Sequence, residues 1–490
     1  MRQEMSTILS DVGGLYKIFS FFIFLPLCVA LYSNDWTEGL ALLLVLLYFG
    51  VIGHILDELP QYREYTKLSS ALASITLAWL TSGIVFGIPY YICTDMTISQ
   101  SIFEGMAGWT RTNFSFLFIT EQLELSSSLF FWRAYTQWIG GLAMLCIFIS
   151  LMKGMQYSSF HQFIHERHTE HLITSFLGVL RKIIPYYLIF SLIAWCMILA
   201  NNVPLLDSIY LMLSSVSTGG FIPYPENIMH YNNLNLEITL ICIMIVSALP
   251  FPIFFQRDIA AFMREKQILL HFLLIFSCTF IIAWGMISGF PTEHLDEDPP
   301  NFFSFVRYSL FMSVSAATTT GFWNTSLEGW SDVHLIFIML LMFIGGSSMS
   351  MTGGIKLRRV LLWLAGVAWW VRQIFAPPHG VVPFFFEGQK ISSKEANSEI
   401  SKSTIVIISS MLLIGVFTLL FMHIHPHADV LFVIFDITSA FTTSGFSLSH
   451  VTSDISLIST WSIIILMLTG TLGAFPIIML FTILFNKIDK

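Results

Sequence analysis

Runs of about twenty mostly apolar residues recur along this chain, each long enough to carry a helix across the roughly 30 Å hydrocarbon core of a bilayer. They fall at 15–33, 39–57, 69–92, 131–152, 183–201, 234–255, 267–289, 333–352, 356–375, 404–424 and 458–485. Lipid offers the backbone no hydrogen-bond partner, so a spanning stretch is a helix or part of a closed barrel. Barrel strands need only about ten residues, and the runs therefore predict an all-α polytopic membrane protein. Composition agrees, with 11% charged residues against about 25% in soluble domains. The first run lacks a small-x-small site after Ala30 and is followed at once by a second, so it reads as a retained helix rather than a cleaved signal.

Lys and Arg concentrate in 58–67, 153–182, 257–266 and 356–402 and at both termini, which places these segments and both chain ends on the cytoplasmic side. The opposite loops have basic residues only at Arg111, Arg133 and Arg307. They carry Asp95, Glu104, Glu121, Glu124, Asp207, Glu226, Asp296, Glu297, Asp298, Asp429 and Asp454. Acid on the outer face raises the local concentration of cations at a pore mouth, although excluding basic residues from translocated loops leaves the same acid behind. Cys28, Cys93, Cys146, Cys196, Cys242 and Cys278 are scattered singly with no CxxC. They indicate neither a zinc site nor a disulfide framework and read as core residues.

The chain also repeats itself. Four outer-side segments read Thr110-Arg111-Thr112-Asn113-Phe114, Ser217-Thr218-Gly219-Gly220-Phe221, Thr318-Thr319-Thr320-Gly321-Phe322 and Thr442-Thr443-Ser444-Gly445-Phe446. Counting back ten residues from the fourth position gives an aromatic each time: Phe103, Tyr210, Phe311 and Phe435. Counting back six gives Ala107, Ser214, Ser315 and Ser439; counting back five gives Gly108, Ser215, Ala316 and Ala440. Ordinary Thr/Gly turns would not keep that register. Each copy joins a short apolar stretch, a turn and a full span, the pattern of a re-entrant pore helix. Irregular backbone at membrane depth is tolerated only where it is buried in protein or lines a water-filled cavity. Four such turns on one axis make a ring of carbonyls able to replace a cation's hydration shell. Glycine lets the backbone take positive φ and approach the ion.

With these segments the chain resembles the Trk/Ktr/HKT superfamily of potassium transporters, and within it the bacterial TrkH-like branch. Also similar are Trp138-Ile139-Gly140-Gly141, Met342-Phe343-Ile344-Gly345-Gly346 and Thr352-Gly353-Gly354-Ile355-Lys356. The resemblance implies two leading helices (1–66), then four helix–pore-loop–helix repeats around a central pore, at 67–155, 156–260, 261–375 and, after a cytoplasmic linker, 376–490. It implies uptake of a monovalent cation, potassium, across the cytoplasmic (inner) membrane of a bacterium. The filter would be the first four residues of each segment, with potassium as substrate and no bound cofactor. It further implies a homodimer in membrane lipid, a cytoplasmic nucleotide-binding regulatory ring, and no nucleic-acid partner.

The tract Gly345-Gly346-Ser347-Ser348-Met349-Ser350-Met351-Thr352-Gly353-Gly354 interrupts an apolar run. Glycine inside a helix costs about 1 kcal/mol relative to alanine, so the helix should break there. The alternatives are a packing face of small residues and, as the resemblance implies, an intramembrane gate formed by Gly345, Gly346, Ser347, Ser348, Gly353 and Gly354 together with Thr471 of the last helix. The P-loop spacing GxxxxGK[ST] is absent.

Two positions depart from the family. The first segment has Arg111 and Asn113 where the others have Thr and Gly. A charge facing the pore would repel cations, so Arg111 is expected to point away toward an acid such as Glu104. Asn113 is expected to keep the left-handed turn, which asparagine tolerates. In the last helix Met467-Leu468-Thr469-Gly470-Thr471-Leu472 has Thr471 where the family carries a basic residue, and Arg111 and Thr471 could compensate each other. These departures leave open a sodium-permeable or non-selective variant and a degenerate non-conducting or regulatory subunit.

His161, His165, His168 and His171 lie at helical spacing with Glu166 and Glu170 nearby. The order His-Glu-Arg-His is not a metal-binding HExxH, and a solvated linker is the reading. His423, His425 and His427 sit at an outer helix end and read as interfacial. An intramembrane enzyme would need ionisable residues within the spans, which hold few. All four turns fall on one side, unlike the arrangement in inverted-repeat transporters.

Overall fold

The computed structural model describes residues 2–62, 68–117, 125–152, 172–251, 254, 265–289, 301–327, 329–377, 382–448 and 455–485. The His161, His165, His168 and His171 group, with Glu166 and Glu170, lies outside the described residues, as do Glu121, Glu124, Asp296, Glu297, Asp298 and Asp454. The chain is an all-α polytopic membrane protein with one small hairpin among the described residues.

Two helical elements lead. Helix α1 (Arg2–Tyr32) packs along α2 (Trp36–Leu47), which passes through a π-helical turn at Tyr48–Ile52 into α3 (Gly53–Asp57). The close approach of α1 and α3 depends on Gly13, where a Cβ would overlap the backbone of Leu56 and Asp57.

Four units follow. Each has a long helix, a short helix ending in one of the repeated turns, and a second helix. The first is α4 (Leu68–Val85) with a short α5 (Ile88–Cys93), then α6 (Ile98–Thr110) and α7 (Ser127–Met152). The second is α8 (Leu172–Leu199), α9 (Leu205–Val216) and α10 (Leu234–Ala248). The third is α11 (Lys266–Gly289), α12 (Phe302–Ala317) and α13 (Asp332–Ile344), whose line resumes past a loop as α14 (Leu357–Ile374). The fourth is α15 (Ser393–Ile424), α16 (Val430–Thr442) and α17 (Leu457–Leu472), followed by α18 (Ala474–Phe485). The short helices α6, α9 and α16 have 13, 12 and 13 residues, about 20 Å at 1.5 Å per residue, too short to cross. Polar caps start two of them: Thr97 with Gln100 forms a capping box on α6, and Asp429 accepts from Leu431 N on α16.

The units close into a ring. The second helix of each packs on the short helix of the next: α7 on α9, α10 on α12, α13 on α16, and α17 back on α6.

Several sequence boundaries are corrected. The 234–255 run leaves the helix at Ala248, ahead of Pro250, because proline cannot continue the hydrogen-bond ladder. The 356–375 run is not a separate apolar span. As α14 it carries Arg358, Arg359 and Arg372, and it is absent from the six described helices long and apolar enough to cross a membrane. The 458–485 run bends by 108° between Leu472 and Pro476, with Gly473 at φ 83°. The 376–402 linker contains a hairpin, β1 (Phe384–Phe386) antiparallel to β2 (Gln389–Ile391), whose Phe384 packs on Trp369 of α14. Only Cys146 and Cys278 are buried; Cys28 and Cys196 are exposed on helices long and apolar enough to cross a membrane, and Cys242 on the shorter apolar α10, where an apolar thiol facing lipid meets no penalty.

Candidate functional site

All four short helices end in the same way. The backbone N–H of Thr112, Gly219, Thr320 and Ser444 donates to the carbonyl five residues earlier, at Ala107, Ser214, Ser315 and Ser439. The preceding N–H, of Arg111, Thr218, Thr319 and Thr443, donates to the carbonyl three earlier. This is the Schellman pattern, which requires a left-handed residue. Here that residue is not glycine: Arg111, Thr218, Thr319 and Thr443 take φ of 62°, 55°, 51° and 58°. The first hydroxyl of each turn is spent on its own helix, as Thr110 on Met106 O, Ser217 on Leu213 O, Thr318 on Val314 O and Thr442 on Thr438 O.

At the fourth position Gly220, Gly321 and Gly445 have φ of 81°, 80° and 78°. A Cβ on Gly220 would overlap Thr320 O, one on Gly321 would overlap Ser444 O, and one on Gly445 would overlap Asn113 N. The turns therefore stand side by side in the order first, second, third, fourth, with the first opposite the third. Their residues are buried except Asn113, which faces a cavity of about 190 Å³ lined also by Phe114, Tyr224, Trp323 and Ser447.

The chain leaving each turn is braced from behind by an acceptor, a role that the sequence reading gave to none of these residues. Glu104 accepts from Ser115 Oγ (2.7 Å) and Phe116 N. Asp436 accepts from Ser447 Oγ (3.4 Å) and Leu448 N (2.9 Å). In the second unit Gln137 accepts from Phe221 N and donates to Gly219 O. In the third, Asn227 accepts from Trp323 N. A signal for the carboxylates was present, since both stand nine residues before the fourth turn position with serine two residues after it.

The first turn departs from expectation twice. Glu104 is not the partner of Arg111; it faces Arg133 at 3.8 Å, both side chains buried. The Arg111 side chain is buried, and its Nε and Nη1 have no hydrogen-bond partner among the described residues. The charged groups that bear on it are Lys356 and, when ionised, Tyr187. Asn113 does not adopt the left-handed conformation of the three glycines. Its side-chain amide instead donates to Gly321 O at 2.7 Å.

Away from the cavity, the tract between α13 and α14 lies across the ring as a loop. Thr218 Oγ1 donates to Met351 O (3.2 Å), and Gly353 N donates to Thr319 Oγ1 (2.7 Å). A Cβ on Gly353 would overlap Thr442 O and crowd Thr443 Oγ1. The loop thus touches the second, third and fourth turns. Elsewhere Ser347 N donates to Ala248 O and Ser348 N to Gln267 Oε1. A Cβ on Gly346 would crowd the Thr352 side chain across the loop. The Lys356 ammonium is buried and donates to Ser350 O, Thr352 O and Thr352 Oγ1, a second cation near Arg111 that the sequence reading left without a role. Gly345 and Gly354 pack against each other where the loop begins and ends. Thr471 bonds its own helix at Met467 O. Beside it, a Cβ on Gly470 would overlap Phe441 O.

Comparison with known proteins agrees with this geometry. The family model described as TrkH, cation transport protein, matches residues 80–488. The chain belongs to the TrkH family. A protein described as an uncharacterized cation transporter, from Methanocaldococcus jannaschii, is 25% identical over 99% of this chain and 97% of its own. The Trk system potassium uptake protein TrkH of Vibrio parahaemolyticus is 23% identical over 73% of this chain and 75% of its own. The crystal structure of the potassium transporter TrkH from the same organism superposes with a TM-score of 0.82 at 18% identity, covering 97% of this chain and 98% of that one. This TrkH-family chain is a multi-pass cation transporter and not an enzyme.

Proposed function

We propose that this chain takes up a monovalent cation, potassium, across the cytoplasmic membrane, with the ring of four turns as selectivity filter and the Gly345–Gly354 loop as an intramembrane gate beneath it. The observation that carries the reading is the geometry of the ring. Four Schellman turns meet around one axis, three of them with a glycine at the inner approach, which is the arrangement that lets backbone carbonyls replace a hydration shell. Potassium is the ion transported by the named Trk relatives, and the second, third and fourth turns keep threonine or serine hydroxyls beside those glycines. The gate reading is supported by the loop's hydrogen bonds to Thr218 and Thr319 directly under the ring. A homodimer and a cytoplasmic regulatory ring remain part of this proposal through the family alone.

A second reading, a non-conducting or regulatory subunit, is favoured by one observation, the buried Arg111 guanidinium at a position where the other turns have threonine. Expression in a potassium-uptake-deficient bacterium on low-potassium medium separates the two, with rubidium and sodium flux followed in the same cells. The transporter reading expects growth and rubidium uptake. Protein present in the membrane with neither growth nor flux would favour the second reading.

A further inference from the structure

Asn113 belongs to the first turn, yet its amide reaches the third. The acceptor Gly321 O lies 2.7 Å away, and the third turn stands opposite the first because each glycine is crowded by the turn that follows it. A carbonyl can only accept, so the NH2 end of the amide must face it. The same residue also lies against the two neighbouring turns. Asn113 Cβ and Cγ would stand 3.0 Å from a Cβ on Gly220, and its backbone crowds Gly445. A side chain lining one quarter of a ring reaches its two neighbours. One that also bonds the opposite quarter crosses the axis.

The chemistry matches that placement. An oxygen suited to a cation accepts an amide N–H instead, and the partial positive charge of the donor sits where a desolvated cation would. One side of Asn113 faces the outer cavity of about 190 Å³, so the side chain has room to swing away from the ring. Its backbone is outside the left-handed region, so other L residues fit the same conformation.

We propose that Asn113 is a strut across the outer end of the ring, holding it shut to ions until its side chain rotates into the cavity above. This rests on the cation-transport reading. Entry then exchanges one amide–carbonyl hydrogen bond for a cation–carbonyl contact, and the first repeat sets access while the other three supply the coordinating backbone.

The test uses the full-length protein in liposomes with an inward potassium gradient, reading initial rubidium uptake, together with the thermal stabilisation of the detergent-solubilised protein by potassium chloride over choline chloride. Asn113→Ala and Asn113→Gly are expected to raise uptake about tenfold, the equivalent of about 1.4 kcal/mol, and to enlarge the potassium-dependent stabilisation. Asn113→Asp, which cannot donate to Gly321 O, is expected to behave like the alanine variant. Wild type and Asn113→Ala with equal, measurable uptake and equal stabilisation would overturn the strut and leave cation transport intact. Absence of uptake and of potassium-dependent stabilisation in wild type and all three variants would overturn both the strut and the transport reading beneath it.

Discussion

In the first repeat Glu104 accepts from Ser115 and Phe116; in the fourth Asp436 accepts from Ser447 and Leu448 at the same places relative to the turn. In the first, Gly140 admits Trp109 O against the second helix; in the fourth, Gly470 admits Phe441 O at the corresponding position. The two scaffolds match, and they enclose different side chains. The fourth turn has Thr443 and Gly445, and the first has a buried arginine and an asparagine reaching across the ring. The frame is therefore specified separately from its contents: acceptors behind the chain hold the turn whatever lines it. That separation allows one quarter of a repeated ring to diverge without collapse of the others.

The comparison can be broken at its frame. Replacing Gly140 or Gly470 by leucine places a side chain on an occupied backbone carbonyl, where neither side can yield. Loss of monodisperse folded protein on extraction is expected for both, and normal yield for either would show that the frame tolerates helix displacement. Removing the acceptors should separate the repeats. Glu104→Ala leaves Arg133 buried without its carboxylate and should cost about 3–5 kcal/mol. Asp436→Ala removes the acceptor of Leu448 N and should cost about 1–3 kcal/mol. Thermal unfolding in detergent checks the order, and equal losses would count against an electrostatic difference between the two braces.

Smaller effects sharpen the contrast in contents. Arg111→Thr gives the first turn the residue type of the others and removes two buried nitrogens that have no hydrogen-bond partner among the described residues. A gain of about 1–3 kcal/mol follows if their desolvation is uncompensated, read as a higher unfolding temperature. Least of all, Glu265, just ahead of α11, accepts from Gln267, which in turn accepts from Ser348 of the loop. Burial, then the nearby Glu387, pushes its carboxyl above the ordinary range. A raised carboxyl stabilises the fold in its protonated form below the ordinary carboxylate range, and that contribution is lost as pH rises through the raised value. The unfolding temperature should therefore fall slightly less with rising pH in Glu265→Gln than in wild type.

The helical membrane architecture was readable from run length alone, and the turn register from the aromatic and small residues behind each turn. The break at Gly345–Gly354 followed from glycine's cost in a helix, and the structure indeed leaves α13 at Ile344. Partnerships were not readable. Glu104 could be offered to Arg111 because both lie in one short segment, whereas its actual neighbour Arg133 arrives on the next helix. Asn113 was given the backbone of the glycine it replaces, yet a side-chain amide supplies what the carbonyl ring can accept, and the backbone took another course. The bend after Leu472 was hidden because the run stays apolar through Gly473 and Pro476, and hydropathy does not register direction.

Two hydrogen bonds, to Thr218 and Thr319, tie the loop beneath the ring to the turns, worth about 1 kcal/mol net each. Together those two bonds are equivalent to a factor of about thirty in an equilibrium constant, beside the loop's packing of Gly353 on Thr442 O. Because the loop comes from one repeat alone, a single segment meets three of the four turns.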